Sequence, residues 1–101
     1  MADAVKGEAG MNAMVIDVKD NVAVAIEPIK GGEEVTYLAD GELKRVKAAE
    51  DITIYHKIAV RQIKKGEPVV KYGQHIGLAA EDIDVGRHVH VQNVESHREE
   101  L

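Results

Sequence analysis

Short apolar segments alternate with polar or glycine-containing turns along most of the chain. Stretches of apolar or alternating residues predict strands at residues 14–18, 22–26, 35–38, 43–46, 51–55, 58–60, 69–72 and 89–94. Asp40 and Gly41, between the third and fourth stretches, are typical of a tight hairpin turn. No apolar run reaches the roughly 20 residues that cross a bilayer, so we expect no membrane association. The pattern predicts an all-β fold.

One motif occurs three times: Ala, three residues, Ile, two residues, Gly, two residues, Val. Its copies begin at Ala25, Ala59 and Ala79, and their unequal spacings argue against a solenoid. Gly supplies the positive φ that closes such a turn, and Ile anchors the turn in the core. We interpret each copy as one local turn between two strands, and we predict single helical turns at residues 27–31, 61–65 and 81–85.

The composition agrees with a β-rich domain. The chain has 14 Val and nine Ile but four Leu, three Tyr and no Phe or Trp, and β-branched side chains pack well on a pleated surface. A net charge of −5 predicts no nucleic-acid partner and no polybasic membrane patch. The absence of cysteine excludes disulfides and thiolate metal sites.

The polarity of the two ends predicts one folded domain with a tail on each side. We expect a flexible N-terminal tail over residues 1–12, the domain over residues 13–94, and a C-terminal tail over residues 95–101 that includes His97. The first residues lack the apolar stretch of a signal peptide, which predicts a cytoplasmic protein.

Four ordered motifs give the chain a resemblance to a known family. Residues 20–25, 56–59, 70–77 and 88–93 closely resemble the SAF domain of the altronate and galactarate dehydratase family, a domain that also forms the small subunit of sulfolactate sulfo-lyase. The resemblance implies a SAF-type β-clip and a metal-assisted elimination, usually with iron(II) or another divalent metal, on a sugar acid or related 2-hydroxy acid. It also implies a larger dehydratase subunit as partner, with this chain inactive alone. A homo-oligomer is equally compatible with the sequence.

His56 is the catalytic candidate that the resemblance singles out. The near-neutral pKa of histidine side chains in general suits proton transfer, and neutral imidazole also suits iron. The alternative is a strand-end histidine with one local hydrogen bond. The family has Gly directly before this histidine, whereas this chain has Tyr55. That difference favours a second function, a non-enzymatic binding module for sugar acids or a protein partner.

Two further groups of residues are candidates for the same site. His88 and His90 lie two apart, so a strand would present both on one face as metal ligands; the alternative is a polar strand facing solvent. Lys57, Lys71 and Tyr72 are the substrate-binding candidates, because a lysine can clamp a carboxylate and a tyrosine hydroxyl can donate to it. Alternatively, Lys71 is an edge-strand charge beside a half-buried Tyr72. For Asp20 and Asn21 we expect a turn or capping role.

Overall fold

The computed structural model describes residues 10–95, which form nine short strands and no helix. The predicted all-β class is confirmed. The strands are β1 (Ala13–Met14), β2 (Val22–Ala25), β3 (Glu34–Ala39), β4 (Glu42–Lys47), β5 (Lys57–Ala59), β6 (Pro68–Lys71), β7 (Gln74–Ala79), β8 (His88–Val89) and β9 (Val94–Glu95). No helix in this part of the chain is long and apolar enough to cross a membrane.

The strands form three small antiparallel sheets. Their orders are β1-β2-β5-β8, β3-β4 and β6-β7-β9. The β3–β4 hairpin turns at Asp40 and Gly41, whose φ angles of 52° and 79° are those of the predicted tight turn. The first sheet matters most for function, because it pairs β5 with β8 and so brings residues 56–58 beside residues 88–90.

The repeated motifs form turns that pair with one another. Ile29 and Ile52 exchange both backbone hydrogen bonds, at 3.0 and 2.7 Å, and Ile63 and Ile83 do the same at 2.9 and 2.7 Å. The predicted single helical turns are therefore wrong. Each isoleucine bonds to a distant segment instead of to its own turn, and β-branched residues favour that extended conformation.

A fourth copy of the turn starts at Ala48 and continues through Ile52, Tyr55 and Ile58. We name the copies turn 1 (residues 25–35), turn 2 (48–58), turn 3 (59–69) and turn 4 (79–89). Turns 1 and 2 pair through Gly32 N–H to Ala48 C=O and Tyr55 N–H to Ala25 C=O, at 2.8 and 2.7 Å. Turns 3 and 4 repeat both bonds, each at 2.8 Å, with Gly66 to Ala79 and Gly86 to Ala59.

Tyr55 thus occupies the position that Gly holds in the other three turns. Its φ is 70°, where the glycines have 91°, 88° and 93°. The predicted strand at residues 51–55 is wrong for this reason: Ile52 makes a single bridge, and the chain then reverses at Tyr55. Alternation of apolar residues suggested a strand, but the alternation comes from the turn itself.

Two other predicted strands are shorter than expected. The strand at residues 89–94 is divided into β8 and β9 by a turn that the buried side chain of Asn93 stabilises, since it accepts from His90 N–H and donates to His88 C=O. The strand predicted at residues 14–18 stops after Met14, the last residue of β1. The N–H groups of Ile16 and Asp17 donate to the Asp20 carboxylate instead of to a neighbouring strand. Strand β7 was not predicted.

Val, Ile and Ala fill two adjoining core clusters, one around turns 1 and 2 and one around turns 3 and 4. The four turn isoleucines are almost completely buried, as predicted for Ile29, Ile63 and Ile83 in their anchoring role. Asn12 is also buried, and its side chain binds the backbone of Glu34 and Thr36. The anchored chain therefore includes Asn12, which the sequence placed in the tail. The other tail residues before Gly10 and after Glu95 lie outside the described part.

Asp20 anchors the loop between β1 and β2. One carboxylate oxygen accepts the N–H groups of Ile16 and Asp17, both at 3.1 Å, and the other accepts the N–H of Gly73 at 2.7 Å. The side chain is 2% exposed. These bonds tie the β1–β2 loop to the β6–β7 turn, which confirms the predicted turn role.

Replacing Asp20 with Ala leaves three backbone donors without their acceptor. Because hydrogen bonds to a charged group are worth about 1.5–3 kcal/mol, we expect Asp20→Ala to lower the free energy of unfolding by about 3 kcal/mol. Urea denaturation followed by circular dichroism measures this loss. Asp17→Ala is the control, since Asp17 makes one exposed bond to Lys19 N–H, and it should cost less than about 1 kcal/mol. Equal effects of the two substitutions would contradict the anchoring role.

Candidate functional site: a cluster of three histidines

Three histidines from two parts of the chain meet at one end of the β5–β8 pair. His56 lies in turn 2 directly before β5, His88 opens β8, and His90 directly follows β8. The register pairs Ile58 with His88 and Lys57 with Val89. This pairing brings His56, assigned to catalysis, together with the two histidines assigned to metal binding.

The three imidazoles form a compact stack. Nδ1 of His56 lies 2.8 Å from Nε2 of His88, and the ring centroids of His56 and His90 are 4.3 Å apart with 17° between their planes. One ligand nitrogen from each of the three residues lies within 4.8 Å of the other two. Three ligand atoms therefore converge on one small volume.

Polar contacts fix the backbone that carries His88. The Glu50 carboxylate accepts the His88 N–H at 2.9 Å and the Arg87 Nε–H at 3.0 Å. These contacts, led by the His88 backbone bond, lower the pKa of Glu50. On the other side, Asn93 is 1% exposed and bonds to the backbone of His88 and His90. The loop holds both histidines in place without using their rings.

A hydrogen bond from Gln92 selects the tautomer of the His88 ring. Its amide Nε2 lies 3.2 Å from His88 Nδ1 and 3.4 Å from His88 C=O. Because a carbonyl accepts only, the amide nitrogen is the donor, and His88 Nδ1 then accepts. A neutral His88 accordingly carries its proton on Nε2 and donates it to His56 Nδ1, and metal binding at Nε2 would displace that proton.

The environment favours neutral imidazoles. Burial, followed by the charges of His56 and His90, lowers the pKa of His88, and Glu50 offsets only part of this. Burial, followed by His56 and Lys57, lowers the pKa of His90 as well. Neutral imidazole is the form that binds a metal, so these two side chains are prepared for metal binding near neutral pH.

The substrate-binding candidates lie beside the cluster. Lys57 lines a cleft of about 220 Å³ with His90, and the remaining walls are Ile76, Val91 and Val94. Burial and the neighbouring charge of Lys71 lower the pKa of Lys57. Within residues 10–95 neither lysine forms an ion pair. Two cations near each other without a carboxylate are suited to an anionic ligand.

Tyr72 is positioned by its backbone as well as by Lys71. The Lys71 Nζ lies 4.9 Å from the centroid of the Tyr72 ring, within the range of a cation–π contact. Tyr72 has a φ of 56° and is 50% exposed, which agrees with the half-buried ring of the alternative interpretation. His75 is exposed on β7 and does not belong to the histidine cluster.

Two residues of this region, Glu50 and Gln92, and the structural role of Tyr55 were not predicted. Glu50 belongs to no pattern, and Gln92 lies in the motif at residues 88–93 but has no spacing or chemistry that singles it out. Tyr55 did have a signal. Its spacing from Ala48, Ile52 and Ile58 matches the repeated motif, with Tyr in place of Gly.

The cluster fits a divalent metal ion by its donor set. Imidazole nitrogens bind iron, zinc and similar ions, and one ligand nitrogen of each histidine lies within 4.8 Å of the other two, so small rotations of the rings would let all three contact one ion at ~2.1 Å. Three protein ligands with remaining open positions are typical of catalytic metal sites.

The fold and the cluster together define a small β-domain with a histidine site at one end, and comparison with known proteins gives its family. A sequence model of the altronate/galactarate dehydratase SAF domain matches residues 11–97. The chain belongs to this family of SAF domains, as its resemblance implied.

Similar proteins carry the domain in two forms. Altronate dehydratase of Bacillus subtilis is 38% identical over 87 residues, or 85% of this chain and 16% of that protein. Altronate dehydratase of Escherichia coli is 37% identical over 91 residues, or 90% of this chain and 18% of that protein. The (2R)-sulfolactate sulfo-lyase subunit alpha of Chromohalobacter salexigens is 33% identical over 88 residues, or 84% of this chain and 94% of that subunit. The chain thus spans under a fifth of the dehydratases but nearly all of the subunit.

The lowered pKa values predict how stability of the metal-free chain depends on pH. Because the folded state disfavours protonated His88 and His90, the unfolded state binds more protons below about pH 6.5. The free energy of unfolding should therefore fall as the pH decreases from 7 to 5. This range lies above the lowered pKa of Glu50. In the presence of a chelator, urea denaturation should show a smaller decrease in the free energy of unfolding over this pH range for the His88→Gln, His90→Gln double variant. His75→Gln, the matched control, should keep the original slope; a double variant with an unchanged slope would contradict the assignment.

Proposed function

We propose that this SAF domain serves a lyase that eliminates water or sulfite from a sugar acid or related 2-hydroxy acid, and that it acts with a larger catalytic part. The observation that carries the proposal is the convergence of His56, His88 and His90 on one volume. The similarity to altronate dehydratases and to a sulfolactate sulfo-lyase subunit supports the same class of reaction.

The reaction breaks two bonds on neighbouring carbons. A base takes the proton from the carbon next to the carboxylate, and the electron pair of that bond forms the carbon–carbon double bond. The leaving group departs from the adjacent carbon with its own bonding pair, as hydroxide that is protonated to water or as sulfite. The chemistry therefore needs a base, help for the leaving group, and cations that hold the acid.

The chain offers residues for two of these needs. His56, His88 and His90 would hold a divalent metal, and Lys57 and Lys71 would hold the acid group beside it, with the Tyr72 hydroxyl as a further donor. A bound metal of this kind supplies Lewis-acid polarisation of oxygen ligands. The remaining groups, including the base, belong to the larger catalytic part.

The larger part is supported by the size of the relatives. The altronate dehydratases contain more than five times the matched segment, and the sulfolactate sulfo-lyase relative is by name one subunit of an enzyme. The partly exposed cluster on this chain gives such a part a surface on which to complete the site.

Metal binding by the chain itself tests the ligand assignment. We expect Co²⁺ to bind with the visible absorption of nitrogen coordination. His56→Ala, His88→Ala and His90→Ala should each weaken binding by at least roughly 10- to 100-fold, the cost of losing even a residue that only supports a ligand. His75→Ala should bind as the original chain does. If all four variants bind Co²⁺ equally, the cluster is not a metal site.

Activity then tests the role of the domain. The chain is co-expressed with a large dehydratase-subunit candidate and assayed with iron(II), altronate, galactarate and sulfolactate. Each cluster variant should lose at least about 100-fold in rate, and His75→Ala should retain it. If the complex that contains His56→Ala keeps its metal but loses activity, then His56 is a proton-transfer residue and not a metal ligand. Full activity of all three cluster variants, or saturable acid binding by a chain that never associates with the larger part, would contradict the lyase role and favour a binding module.

A further inference from the structure

Tyr55 stands where the fold itself calls for glycine. Turns 1, 3 and 4 close with Gly at a φ near 90°, and Tyr55 makes the equivalent backbone bond at a φ of 70°. A bulky residue in this region is a genuine outlier, because its Cβ crowds the following carbonyl. Glycine would remove that strain without changing the turn.

The backbone strain at Tyr55 coincides with the site. Three described non-glycine residues have a positive φ: Asp40, Tyr55 and Tyr72. Asp40 and Tyr72 each open a two-residue hairpin turn that ends in Gly, where both residues adopt a positive φ. Tyr55 has no such explanation, and it directly precedes His56. Backbone strain of this kind clusters at functional sites.

The ring of Tyr55 is also mostly exposed to solvent. The chain has three aromatic side chains; Tyr37 is in the core at 5% exposure, whereas Tyr55 is 72% exposed and Tyr72 50%. Burial is the usual contribution of an aromatic ring to stability, and Tyr55 gains little of it. Within residues 10–95 no side-chain hydrogen bond of Tyr55 is formed, so its hydroxyl is available to a ligand.

We propose that Tyr55 is a specificity-determining residue that contacts the carbon chain of the bound acid. Because Tyr55 directly precedes His56 and its ring is 72% exposed, the ring is free to turn toward an acid held at the cluster. A phenol presents an apolar face to C–H groups and a hydroxyl to a substrate hydroxyl. Tyr55 therefore favours longer, hydroxylated acids over short ones.

The proposal rests on the proposed function, and the test separates the two. The Zn²⁺-loaded chain is titrated with altronate and with glycolate, the shortest 2-hydroxy acid, and binding is followed by NMR. We expect Tyr55→Gly to weaken altronate binding about 5- to 10-fold, the effect of one hydrogen bond with its packing, and glycolate binding less than about twofold. Tyr55→Phe should lose part of the altronate preference. The melting temperature of Tyr55→Gly should rise by a few degrees, which excludes unfolding as the cause.

Gly66→Tyr is the matched control. Gly66 holds the same position in turn 3, and a Cβ there meets open space, so the substitution should lower the melting temperature and leave both affinities unchanged. If the original chain binds neither acid, the acid site itself fails, and the proposed function loses its substrate role. If the original chain binds both acids and Tyr55→Gly binds them equally well, or loses both affinities in parallel, Tyr55 does not determine specificity.

Discussion

Backbone hydrogen bonds between paired turns are the constraint on which the rest of this domain depends. In each pair two isoleucines exchange both bonds, and the residue at the glycine position donates to the alanine that starts the partner turn. The alanines are small enough for this close approach, and the isoleucines fill the two core clusters from the same positions. Few regular strand pairs are then needed, which is why strands of two to six residues suffice.

The same pairing assembles the histidine site. Turn 2 ends at β5 and turn 4 ends at β8, so the pairing of β5 with β8 brings His56 beside His88 across 32 residues of sequence. The core clusters hold the turns, while the rings themselves stay only partly buried at the end of the sheet. A rigid backbone with an accessible set of imidazoles suits a site that a larger catalytic part completes.

Part of this architecture could be predicted from the sequence, and physical reasons explain the rest. Val and Ile content predicted the β class, and glycine marked turns 1, 3 and 4. Turn 2 was not predicted, because Tyr55 replaces the glycine that marks the other three turns. The helical turns were wrong because local spacing cannot distinguish a bond within a turn from a bond to a turn 20 residues away. The spacing of His88 and His90 indicated a metal pair, but the approach of His56 depends on strand pairing, which no local pattern encodes.

Anomalous X-ray diffraction from crystals of the Co²⁺-loaded chain tests the central claim most directly. That claim is that paired turns bring three histidines of this chain onto one metal ion. The account predicts one strong cobalt peak at ~2.1 Å from a nitrogen of each of His56, His88 and His90, with both isoleucine pairs intact. A cobalt ion bound elsewhere, or bound to His88 and His90 with His56 turned away, would contradict it.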